Sequence, residues 1–222
     1  QLYRSPTDMG VNRVGFGITN DEVVKEASRQ EIIRRYYVAM CEQKQGKGSD
    51  ETVRKLELLM KKAGVTPAER KVVAPALQRA EQTGAPAAAM ELPDGTIVTG
   101  KTSSLLGASA ALLLNALKAM AGIDHKLKLI PASVIEPISR LKTGNLGHRN
   151  PRLHSDEVLI ALAISGLTNP LAAMVQEQLS SLRGCDAHFS VIISEEDEKL
   201  YKRLGINVTC QPRYEVKKLY HK

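Results

Sequence analysis

The densest gathering of reactive side chains in this sequence lies between Asn145 and Glu157, where His148, Arg149, Asn150, Arg152, His154, Ser155, Asp156 and Glu157 crowd together. Histidine titrates near neutral pH, so it can take or give a proton, and a neighbouring carboxylate can orient its ring. His154, Asp156 and Glu157 are therefore the candidate acid–base set, with His148, Arg149 and Arg152 as cations for an anionic substrate. The same Ser155-Asp156-Glu157 run reads equally well as a helix start, because serine caps free N–H groups and acids favour the positive end of the helix dipole. A second candidate is Gly100-Lys101-Thr102-Ser103. At a helix N-terminus, Lys101, Thr102 and Ser103 would offer an anion a cation, hydroxyls and free backbone N–H groups. It is not a Walker loop, since Gly95 is one residue short of the required spacing and sits on a turn. The alternative is a capped, buried helix with Lys101 in solvent.

Cys185-x-x-His188, with Cys210 further on, has the spacing of metal ligands but lacks a fourth group. Free cysteines more often pack as small apolar residues, so no metal site is assigned here and no cofactor is identified.

These candidates must be held by folded elements, and the composition allows a core. The 222 residues are 43% hydrophobic and 25% charged, enough for one large domain or two small ones. No apolar run approaches the length of a spanning helix, and no signal-peptide pattern opens the chain. Three widely spaced cysteines, Cys41, Cys185 and Cys210, fit reduced thiols in a cytoplasmic protein. The net charge of +7 gathers over Arg29 to Lys71 and at Arg213, Lys217, Lys218 and Lys222. Such a surface suits nucleic acid, anionic ligands or an acidic partner, or is simply a solvated face. With two Phe and no Trp, there is no stacking platform to favour single-stranded nucleic acid.

Along the chain, residues 1–20 read as an irregular lead-in. Asn20, Ser49 and Thr66-Pro67-Ala68-Glu69 then start three helices, the third broken or kinked at Pro75. Residues 1–84 are thus expected to be a lead-in and helical bundle. From Ala85 the pattern changes to a hairpin around Pro93-Asp94-Gly95, a mainly apolar helix from Thr102 to Ala121, and a strand over Lys126 to Ile130. Helices follow near Ser133, Ser155 and Asn169. Two further strands, Ala187–Ser194 and Ile206–Cys210, flank a helix capped by Ser194. This alternation over residues 85–222 predicts an α/β sheet covered by helices on both faces.

Several stretches carry a resemblance to a known family: Ser5-Pro6-Thr7-Asp8-Met9-Gly10-Val11-Asn12, Gln30 to Tyr36, Leu92-Pro93-Asp94-Gly95 with Val98 to Ser103, Asn150 to His154, and Leu182-Arg183-Gly184-Cys185. Together they resemble a bacterial family known as domain of unknown function 1846, and this chain looks like its C-terminal half. The resemblance implies a protein about twice this length whose N-terminal half carries a Gly-rich, nucleotide-binding loop. It also implies a helical insertion followed by a cytidine-deaminase-like, three-layer α/β/α sandwich. A zinc deaminase needs His or Cys with a nearby Glu at one helix start and Pro-Cys-x-x-Cys at the next. Gly100 to Ser104 and Pro151-Arg152-Leu153-His154 supply no cysteine, so the implied fold comes without the metal.

Three readings of function stand side by side. One is an anion- or nucleotide-linked active site formed with the N-terminal half of the same protein and acting on a phosphorylated small molecule. Another is a non-catalytic module for homo-oligomerisation or partner docking. The last is nucleic-acid binding through the basic helices. A first residue of Gln1 points to a cut or processed product.

Overall fold

In a computed structural model of the chain, residues 20–215 are described. The lead-in before Asn20, with its Ser5 to Asn12 stretch, and the basic residues Lys217, Lys218 and Lys222 lie outside them.

The chain divides into two compact units, residues 1–70 and 71–222. In the first, the Asn20 side chain accepts the N–H groups of Glu22 and Val23 and starts α1 (Asp21–Lys44). Ser49 does the same for α2 (Asp50–Ala63), which ends at Gly64 with a left-handed φ of 62°. Ile33, Tyr37, Val53, Met60 and Val65 are buried, and Arg29 ties α1 to the end of α2 by donating to the carbonyls of Ala63 and Gly64. Thr66 to Glu69 does form the expected capping box, yet it yields one 3-10 turn, Pro67–Glu69, and not the start of a long helix.

The third helix, expected to complete a bundle, belongs with the sheet. In α3 (Val73–Thr83), Pro75 occupies the first turn, where its missing N–H has no intrahelical partner to lose, so the helix runs on to Gly84. Ala76, with Val72 ahead of it, packs against Ala89 of β1 (Ala87–Glu91). The unit boundary accordingly lies at residue 70, before this helix, and not after residue 84.

β1 and β2 (Ile97–Lys101) form the expected antiparallel hairpin. The Leu92 N–H donates to the Thr96 carbonyl across a turn in which Gly95 has φ 83°. β1 also pairs antiparallel with β3 (Asp186–Phe189), and β3 pairs parallel with β4 (Asn207–Cys210), giving the order β2-β1-β3-β4. Side chains alternate along β1. Ala89 faces α3, while Ala88 and Met90 belong to the main core with Leu112, Leu113, Ala116 and Leu117 of α4 (Ala108–Met120). Helices thus cover both faces of a mixed sheet. Gly100 shows how closely α4 lies on β2: a Cβ there would stand 2.3 Å from the Leu112 nitrogen.

α5 (Ala132–Gly144), α6 (Ser155–Gly166) and α7 (Pro170–Gln176) intervene before β3, and α8 (Glu195–Arg203) connects β3 to β4. The strand expected over Lys126–Ile130 is instead a turn. The Asp124 side chain captures the Lys126 N–H, and the buried Lys118 donates to the His125 carbonyl. The apolar helix starts at Ala108, later than the expected Thr102. No helix among the described residues is long and apolar enough to cross a membrane.

Candidate functional site

The late start of α4 moves Gly100-Lys101-Thr102-Ser103 off a helix N-terminus. Gly100 and Lys101 end β2, and Lys101 is exposed opposite Ala87. Thr102 is buried and its N–H donates to the Pro86 carbonyl. The Ser103 hydroxyl accepts the N–H groups of Leu105 and Leu106 in a self-contained turn. The anion cradle expected of this run therefore does not assemble.

The loop that follows meets the second candidate segment. Leu153 donates its N–H to the Leu105 carbonyl and accepts the Gly107 N–H, so residues 103–107 and 150–154 lie side by side. At their junction is a cleft of about 50 Å³ lined by Thr102, Ser109, Arg152, His154, Asp197 and Glu215, among others. The starts of α4, α6 and α8 meet at it, through Ala108 and Ser109 of α4, the N-caps His154 and Ser194, and Asp197 of α8.

Asp197 organises this cleft. One carboxylate oxygen accepts the Ser155 N–H at 2.9 Å and the other accepts the Ser109 hydroxyl at 2.7 Å, so a single side chain joins the starts of three helices. The His154 Nδ1 lies 3.5 Å from the same carboxylate. Burial by itself would push the Asp197 carboxyl upward; the His154 imidazole, the Ser155 N–H and the Ser109 hydroxyl outweigh it and hold the group down at about 2. In return the Asp197 carboxylate raises His154 above the ordinary histidine value, against the opposing effect of burial. Tyr201 fixes the arrangement from below: its buried hydroxyl donates to the Ser109 carbonyl at 2.7 Å, and its ring stands edge-on to Phe189.

The acids beside His154 in sequence face elsewhere. Glu157 accepts the His154 backbone N–H and pairs with the buried Lys142, both at 2.7 Å. Lys142 also donates to the Arg152 carbonyl. The exposed Asp156 accepts the Glu157 N–H. Both carboxylates build the start of α6, and the carboxylate at the His154 ring is Asp197. His148 and Arg149 are exposed and do not line the cleft. Of the sequence candidates, Thr102, Arg152 and His154 come together there; Lys101, Ser103, His148, Arg149, Asp156 and Glu157 do not. Sequence reasoning missed Ser109, Asp197 and Glu215. Asp197 carried only the signal of a capping acid three residues after Ser194, whose hydroxyl does accept its N–H.

Cys185 and His188 are three residues apart on extended chain, which turns them to opposite faces. The buried His188 has its Nδ1 2.8 Å from the Thr209 hydroxyl, and burial pushes the Cys185 thiol up, which makes it a poor nucleophile. Among the described residues no group of three or more His, Cys, Asp or Glu could hold a metal ion.

Comparison with known proteins matches residues 68–220 to a family described as "Domain of unknown function DUF1846, C-terminal", and residues 1–64 to its N-terminal counterpart. The chain thus carries parts of both family domains and is not a C-terminal half alone. Two curated relatives, each named "UPF0371 protein", come from Streptococcus pneumoniae strains CGSP14 and JJA. Each is 54% identical over 220 residues, covering 99% of this chain and 44% of the relative. The chain spans less than half the length of the relatives it matches. With the C-terminal model alone covering most of it, this chain belongs to the DUF1846 family.

Proposed function

We propose that the cleft at His154 is an acid–base site for an anionic substrate, phosphorylated or nucleotide-linked. In this reading it is completed by other parts of a larger cytoplasmic protein. One observation carries this: the His154 ring lies beside the buried, ionised Asp197 in a cleft that also holds Arg152 and three helix N-termini. A carboxylate at Nδ1 favours the tautomer whose other ring nitrogen accepts a proton, and it stabilises the imidazolium that forms. Arg152 supplies a cation that suits an anionic group.

The second unit is further read as a deaminase-like sandwich. The order β2-β1-β3-β4 supports this, as does β1 running antiparallel to both neighbours with helices on both faces. In that reading the helix starts that meet are those of α4 and α8, the helices after β2 and β3. A deaminase would put its metal ligands there; here a hydroxyl–carboxylate hydrogen bond joins Ser109 to Asp197. The donor set does not fit zinc, because among the described residues that line the cleft His154 is the only nitrogen ligand, and both Asp197 oxygens already accept hydrogen bonds.

The test is a thermal-shift screen of nucleotides and phosphorylated metabolites on the intact protein. Stabilising anions are expected, and their effect should shrink with His154→Gln and with Arg152→Gln. If no anion moves the melting temperature, the reading fails. The docking-module reading is favoured by a different observation, the exposed apolar row Ile160, Ile164, Leu167, Leu171 and Met174 on α6, α7 and their junction. Self-association that Ile164→Glu abolishes would support homo-oligomerisation through it.

A further inference from the structure

Arg152 already holds an anion, and that anion belongs to the chain itself. Its Nη1 donates to Glu215 Oε1 at 2.8 Å, and both side chains line the cleft. Glu215 arrives by way of the segment after β4. Gln211 donates its N–H to the Phe189 carbonyl, and the Arg213 carbonyl accepts the Ile192 N–H, so the segment is laid along the end of β3. The two side chains are 31% and 17% exposed. Water still reaches both side chains, so a competing anion can approach Arg152 and displace Glu215.

We propose that Arg152 is the cleft's receptor for a carboxylate group on the ligand, and that Glu215 is a built-in carboxylate that occupies it until the ligand displaces it. This rests on the reading of the cleft as a ligand site and narrows the anion. Two observations set the ligand's chemistry. The cleft sets Arg152 against the Glu215 carboxylate and the His154 ring against the Asp197 carboxylate. Exchanging Glu215 for one ligand carboxylate keeps that balance, whereas a phosphate dianion would add a charge beside the buried Asp197. The space is also small, about 50 Å³ with Glu215 in place, so it admits a compact head group once Glu215 leaves.

The experiment titrates acetate into the intact, histidine-labelled protein and follows the His154 ring protons by NMR. Glu215→Gln should bind acetate at least about tenfold more tightly than the unmodified protein. Glu215→Ala should match it, which guards against the new amide remaining on Arg152. The double variant Arg152→Gln/Glu215→Gln should lose the gain. Equal acetate affinity with and without Glu215 overturns the proposal while leaving the cleft a ligand site. Inorganic phosphate outcompeting acetate in Glu215→Gln overturns the choice of carboxylate. If neither anion perturbs His154 in any variant, the proposal and the acid–base reading fall together.

Discussion

Two polar segments flank the same cleft, and they use their side chains in opposite ways. In residues 100–103 the groups are engaged close by: the Ser103 hydroxyl closes its own turn, the Thr102 backbone N–H donates to the Pro86 carbonyl, and Lys101 is exposed at a strand end. In residues 152–157 the work is divided. Asp156 and Glu157 hold the helix start, which leaves Arg152 and His154 to face the cleft and meet Glu215 and Asp197 from far along the chain. A polar run can therefore carry chemistry only to the extent that its local hydrogen bonds are made by other residues.

The largest expected effect tests the distant partner. Asp197→Ala would leave the Ser109 hydroxyl, the Ser155 N–H and the half-buried His154 ring without their acceptor. Urea unfolding should show a loss of about 3–5 kcal/mol. The pH dependence sharpens this. With its folded pKa held at about 2, Asp197 contributes stability that is fully present above its unfolded value near ~4 and is lost as pH falls through about 2. His154, raised in the folded state, contributes the opposite slope, present below its unfolded value near ~6.5 and lost as pH rises through the folded one. Asp197→Asn should flatten both limbs of the stability profile. An unchanged profile would show that the pair is not coupled in solution.

A smaller effect tests the local partner. Glu157→Gln keeps an acceptor for the His154 N–H but removes the charge facing Lys142, which is 2% exposed. The variant should lose about 2 kcal/mol in the same measurement. Because Lys142 also holds the Arg152 carbonyl, the cleft should loosen with it. A loss as large as that of Asp197→Ala would mean that the sequence neighbours and the distant carboxylate matter alike, contrary to the division above.

How far the sequence could be read follows the same line. Asn20, Ser49, Asn169 and Ser194 cap the helices they announce, and the Asp94-Gly95 hairpin forms, because each depends on groups within a few residues. Thr102-Ser103 resembles a cap just as well, yet the chain closes a turn there and starts the helix only at Ala108. Leu127 and Leu129 alternate like a strand, but the Asp124 side chain turns the chain between them and the helix before. His154 and Arg152 were legible as reactive types in a loop. Their partners were not, since nothing near Asp197 or Glu215 in sequence indicates which cation each will meet.

The smallest effect separates a turn from a site. Ser103→Ala removes the acceptor for two exposed N–H groups that water can satisfy, so it should cost no more than about 1 kcal/mol. Anion-induced stabilisation of the intact protein should also survive it, since Ser103 does not line the cleft. Thr102→Ala, by contrast, alters the cleft wall itself. If Ser103→Ala abolished anion binding while leaving the fold intact, residues 100–103 would recover the role that the late start of α4 denies them, and the contrast between the two segments would collapse.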